Sequence, residues 1–170
     1  MPREDTFDPY ALLQELERQR ATYIVIGALG RVIHGSDEVT DGMDIVPSTR
    51  EENLRRLGLA LEELNARRPD GKAPVLERDL VGRGVLELQT NAGELKIVPE
   101  PAGTRGYDDL RRRAEREPLG QGLRPSVASV DDHARMLAAL GRERDREPLM
   151  TIQRVIELEH QLQRGLSIER

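Results

Sequence analysis

The run Tyr23-Ile24-Val25-Ile26 stops abruptly at Gly27, and this junction constrains the fold more than any other stretch of the chain. So short a continuous apolar run, ended by glycine, marks a buried strand followed by a tight turn. Residues 28–34 then read as a short helix ending at His34-Gly35, and residues 43–46 as a second strand closed by Pro47. An acid, Asp44, lies inside that second strand.

The remaining elements follow from periodicity and punctuation. Asp8-Pro9 suits a helix start, and Leu12, Leu13 and Leu16 give residues 8–20 one apolar face. Ser48-Thr49-Arg50-Glu51 has the form of a capping box, opening a helix whose core face is Leu54, Leu57, Leu61 and Leu64. After a turn at Pro69-Asp70-Gly71, strands are expected around 75–76, over 85–89 and over 95–98. Thr90-Asn91-Ala92-Gly93 joins the last two as a hairpin. Residues 107–116 predict a helix, 125–128 a short strand, and Ser129 caps a helix running to Leu140. Pro148 stands near the start of a long final helix carrying Leu149, Ile152, Val155, Ile156 and Leu162. The expected class is α/β, more closely α+β, with a mixed β-sheet flanked by helices and a C-terminal helical segment. Residues 1–128 should form the main domain and 129–170 should pack on it as helices, giving one compact unit, as a chain of 170 residues suggests.

The stretch from Tyr23 to Val46 resembles the signature of the DNA polymerase beta-like nucleotidyltransferases, in particular the small bacterial toxin-type and antibiotic-modifying members. In that family a strand, a Gly-Gly or Gly-Ser turn, a helix and a second strand bearing Asp-x-Asp hold magnesium beneath a nucleoside triphosphate. Aligned from Gly27, Asp44 falls on the second acid and Gly42 on the first. Gly93-Glu94-Leu95-Lys96-Ile97-Val98-Pro99-Glu100-Pro101 resembles the strand that carries the third carboxylate, and here that position is Lys96. The resemblance continues through Phe7-Asp8-Pro9-Tyr10 at the start, and through Ser129 to His133 and Gly141 to Asp145 near the end. It implies the nucleotidyltransferase fold, with Asp44 and Lys96 at the catalytic position. It further implies substrate contacts from Gly27, Ala28, Arg31, Ser36 and Asp41, and at most weak metal binding at Asp44.

Four departures point the same way. Gly42 offers no ligand, and Lys96 puts a cation where a cation should bind. Glu38 stands where relatives commonly carry Arg, and Leu137 where they carry Lys. A Lys beside Asp44 is expected to form an ion pair with it in place of metal. Asp41 would reach the site only through a bulge, and Glu94 is one strand repeat away from Lys96 on the same face. Among the histidines, His34 reads as a structural residue under the loop, and His133 and His160 have no partner at metal spacing.

Composition narrows the functional classes. There is no Cys, which excludes disulfides and thiolate chemistry. Net charge is −5 and aromatic residues are 2%, so neither a global basic field nor stacking platforms favour nucleic acid. No apolar run approaches the roughly 18 residues of a membrane span, and the N-terminus is polar, so a cytoplasmic protein without membrane contact is expected. The expected function is a degenerate nucleotidyltransferase that has lost two-metal transfer and either binds a small molecule or protein in its cleft or uses that pocket for repurposed, metal-independent chemistry, with no cofactor. The alternative is an active enzyme moving a nucleoside monophosphate from a triphosphate to RNA, protein or a small molecule, with magnesium at a non-standard site.

Overall fold

The structure, a computed structural model, describes residues 6–82 and 84–168. The polar first residues, Arg83 and the last two residues lie outside it. Helix α1 (Pro9–Arg18) is capped by Asp8, whose carboxylate accepts a hydrogen bond from the Ala11 amide at 3.1 Å. Strand β1 (Tyr23–Ile26) runs directly into α2 (Gly27–Ile33), and β2 (Gly42–Pro47) leads to α3 (Glu51–Glu63). A short α4 (Leu76–Asp79) precedes the hairpin of β3 (Leu86–Thr90) and β4 (Gly93–Ile97). Then come α5 (Tyr107–Leu110), the two-residue strands β5 (Glu115–Arg116) and β6 (Ser126–Val127), α6 (Val130–Leu140) and α7 (Arg146–Ile168).

The strands form one six-stranded mixed sheet in the order β3-β4-β2-β1-β6-β5. Strand β2 lies antiparallel to β1 and parallel to β4, and this puts Asp44 between Ile26 on one side and Lys96 on the other. One sheet face is closed: Val25, Met43, Ile45, Leu88, Leu95 and Ile97 meet Leu12, Leu13 and Leu16 of α1 and Leu57 and Leu61 of α3. Each fully buried leucine there contributes about 1.5–3 kcal/mol. The opposite face is only partly covered. Ile24, Ile26 and Val46 pack under Leu110, Ala128 and Met136, but Asp44, Glu94 and Lys96 remain partly exposed at its open end.

Three local expectations differ from the structure. Residues 76–79 are helical because Asp79 Oδ2 accepts the Val75 amide at 2.7 Å, a side-chain bond that closes a turn where an extended chain was expected. The helix expected over 107–116 stops at Leu110, and residues 115–116 instead supply β5, pairing Glu115 with Val127. The capping box does not form. Arg50 is the N-cap without a side-chain bond. Asn53 instead accepts the Thr22 amide at 2.6 Å and donates to the Ser48 carbonyl at 2.7 Å, tying α3 to the ends of β1 and β2.

Candidate functional site

At the open end of the sheet lies a cleft of about 590 Å3 whose wall begins where β1 becomes α2. Gly27 has φ +71°, a left-handed conformation that a side chain disfavours. It is also too close to β2 for one: a Cβ on Gly27 would stand 2.5 Å from Asp44 Oδ2. The glycine therefore serves both the turn and the close approach of the Asp44 carboxyl to the start of α2. Burial raises the pKa of Asp44, with Lys96 the principal opposing influence and Glu94 reinforcing the rise.

Gly27, Ala28, Arg31, Asp44 and Lys96 all line this cleft. Lys96 is the register partner of Asp44, but it does not close the ion pair expected from the sequence. Its ammonium lies 3.4 Å from Glu94 Oε1, in its own strand. Glu94 in turn is the register partner of Gly42, so an acid stands across from the position where the resemblance expects a ligand. A Cβ on Gly42 would meet Glu94 Cβ at 3.2 Å, which leaves little room for a side chain.

Two divalent ions do not fit this donor set. Magnesium requires several hard oxygens in octahedral array, whereas Asp44 is half-buried, Gly42 is bare and Lys96 is a cation. Among the described residues no group of three or more His, Cys, Asp or Glu is placed to hold a metal.

Arg31 has a specific partner. Its Nε and Nη2 donate to the two oxygens of Glu38 at 2.8 and 2.7 Å, and Ser36 Oγ donates to the same carboxylate at 2.7 Å. These bonds hold the Glu38 pKa below the usual carboxylate range, with the Arg31 hydrogen bond the largest cause. Ser36 thus faces Glu38 and is not part of the cleft lining, and Asp41 is exposed and equally outside it. The acid that would repel a triphosphate is neutralised within the protein, and the guanidinium expected to bind substrate is already occupied.

The far wall comes from α6 and the start of α7. His133 of α6 is buried, 1% exposed, and Gly30 of α2 packs on it so closely that a Cβ there would be 2.6 Å from His133 Cε1. Among the described residues its Nε2 has no hydrogen-bond partner, and burial lowers its pKa to about 3, so the ring is neutral. His34 crosses it edge-on at 5.6 Å between centroids and donates from Nε2 to the Ala128 carbonyl at 2.7 Å. Leu137, at the expected Lys position, joins Val130 and Ile152 in a small core. Arg142, Arg144 and Asp145 also line the cleft. They lie in the Gly141 to Asp145 segment, but sequence reasoning assigned them no role. Arg142 donates to Asp145 through Nη2 at 3.0 Å.

No protein-family model matches the chain, and no curated protein is significantly similar to it. Solved structures are similar over all or nearly all of its length. The crystal structure of a candidate nucleotidyltransferase from Thermotoga maritima superposes with a TM-score of 0.51 at 15% identity, covering 100% of both chains. The chain has the nucleotidyltransferase fold. The antibiotic-resistance factor ANT(2'')-Ia aligns over 92% of this chain and 95% of its own, with a TM-score of 0.48 and 13% identity. Within this nucleotidyltransferase fold, among the described residues no helix is long and apolar enough to cross a membrane.

Proposed function

We propose that this protein is a nucleotidyltransferase-fold ligand-binding protein that no longer performs two-metal nucleotidyl transfer. The observation that carries this reading is the pairing of Asp44 with Lys96 across β2 and β4, beside the bare Gly42. A cation fixed in the strand does part of what a magnesium ion does, attracting an anionic group, but it cannot activate a hydroxyl or bridge phosphates. The charges of the cleft also limit the ligand. Arg31 is matched by Glu38, Lys96 by Glu94 and Arg142 by Asp145, and Arg144 is offset by Asp44 and Glu100 in the same lining, which leaves little excess positive charge for a polyphosphate. The ligand class is therefore a small molecule or protein segment with a single carboxylate or phosphate directed at Lys96. Ile26, Val98, Pro101 and Met136 supply an apolar wall for the rest of it.

Calorimetry with magnesium and each nucleoside triphosphate tests this. Weak, metal-indifferent binding is the expected result, and tight stoichiometric binding that requires magnesium would refute it. A second reading, active transfer at a non-standard site, draws support from Glu94 opposite Gly42. It requires incorporation of labelled nucleotide that disappears in Glu94→Gln.

A further inference from the structure

The distal half of α7 offers a self-association surface unconnected with the cleft. The proximal half is docked: Ile152 is buried, and Leu149, Val155 and Ile156 pack with it against α6. Beyond that point the helix leaves the body, and every residue from 157 to 166 is exposed. About a dozen helical residues without tertiary cover are marginal in water. This segment also carries an apolar stripe that none of the described residues covers: Leu158, Leu162 and Leu166 recur at i, i+4 and i+8 and are 52%, 69% and 67% exposed.

We propose that this stripe pairs in parallel with the same stripe of a second copy of this chain, forming a short two-stranded coiled coil. Charge decides the occupant and the direction. With Leu158 at d and Leu162 at the following a, below the partly buried Val155 at the preceding a, Arg154 occupies g and Glu159 occupies e, while Leu166 falls at the next e, on the flank of the seam. A parallel pair sets each Arg154 against Glu159 of the second copy, twice by symmetry. An antiparallel pair sets like flank against like and forms neither bridge. Both side chains are exposed and without an ion pair among the described residues. An anionic membrane surface fits less well, because the flanks of the stripe carry acid as well as base. The seam is short, so the dimer is weak and dissociates on dilution.

The test uses the full chain. Light scattering over a dilution series should show a monomer–dimer equilibrium that Leu162→Asp abolishes, while the melting temperature measured at a concentration where the parent is monomeric stays unchanged, since Leu162 is not part of the packed body. Arg154→Glu should weaken the dimer at least tenfold, and Arg154→Glu combined with Glu159→Arg should restore it. Because the chain has no cysteine, Leu158→Cys and Leu162→Cys, made separately, report direction. A parallel pair gives an intermolecular disulfide in both variants, whereas an antiparallel pair brings only one of the two positions against itself. A monomer at every concentration up to about 1 mM, a dimer indifferent to Leu162→Asp, a disulfide in only one variant, or vesicle binding by a monomer would each overturn the proposal.

Discussion

Lys96 faces Asp44 across two paired strands, yet its ammonium bridges to Glu94 at 3.4 Å instead. Asp44 is thereby left with a neighbouring cation but no direct bond to it, and its raised pKa is a balance of burial against that charge. Lys96→Ala removes the principal opposing influence, so the Asp44 carboxyl should titrate at a higher pH, as read by carbon NMR. Stability should change by less than about 1 kcal/mol, because the Lys96–Glu94 pair is more than a third exposed. If the Asp44 titration did not move, Lys96 would not be acting on it.

Rebuilding the expected acids tests the same geometry from the other side. Gly42→Asp with Lys96→Asp places two new carboxylates beside Asp44 and Glu94, and the 3.2 Å approach of Glu94 Cβ to a new Cβ at Gly42 adds crowding. Like charges this close are unfavourable without a counter-ion. The double variant should melt below the parent in a metal-free buffer and recover on adding magnesium. Melting unaffected by magnesium would mean that these positions do not converge.

The Arg31–Glu38 pair gives a prediction about the mouth of the cleft. Glu38→Gln keeps the shape but removes the charge that holds the guanidinium, at a cost of about 1–2 kcal/mol for two charge-assisted bonds in a pair that is mostly buried. It should also release Arg31, so that inorganic pyrophosphate binds several-fold more tightly by calorimetry. Unchanged pyrophosphate affinity would show that Arg31 is not directed at ligand even when free.

Much of this molecule was legible because its signals are local. The apolar run before Gly27, the Asp8 and Ser129 caps and the hairpin at Asn91-Ala92 each depend on a few adjacent residues, and each takes its expected form. What was not legible depends on partners distant in sequence or on competition between bonds. Asp79 capturing the Val75 amide overrode a strand-like pattern, and pairing with β6 ended the helix begun at Tyr107. At the site, residue types suggested a Lys96–Asp44 bond and a free Arg31. Neither Glu94, two residues along the strand, nor Glu38, on the loop, announces itself as the preferred partner. His133 was unremarkable as a lone helical histidine, and its burial follows only from the packing of α2 on α6.

That packing can be tested by overfilling it. Gly30→Ala would place a methyl 2.6 Å from His133 Cε1 and 3.3 Å from the Val25 carbonyl, so something must shift, and a loss of about 1–3 kcal/mol is expected from chemical denaturation. His133→Ala alone leaves a cavity and is also destabilising. Combined, the two should cost clearly less than the sum of the single losses, because the small side chain vacates the space that the methyl enters. Additive losses would mean that the Gly30 contact is not with His133.

The neutral, buried His133 also sets a pH dependence. Its folded pKa of about 3 lies below its ordinary value of 6.5, so the unfolded chain binds a proton at mildly acidic pH that the folded chain refuses. Its contribution is therefore full above pH 6.5 and diminishes as the pH falls toward 3, by up to about 1.4 kcal/mol per pH unit. Asp44 works in the opposite sense, since a raised carboxyl pKa makes acid stabilising, and Glu38 loses its contribution only below the usual carboxylate range. Subtracting a His133→Leu variant from the parent removes those shared terms. Urea unfolding at pH 7.5, 6 and 5 should show the parent losing stability more steeply than His133→Leu across that interval. Parallel pH profiles for the two proteins would mean that His133 takes up its proton in the folded state without cost, and hence that its ring is not sealed against Gly30.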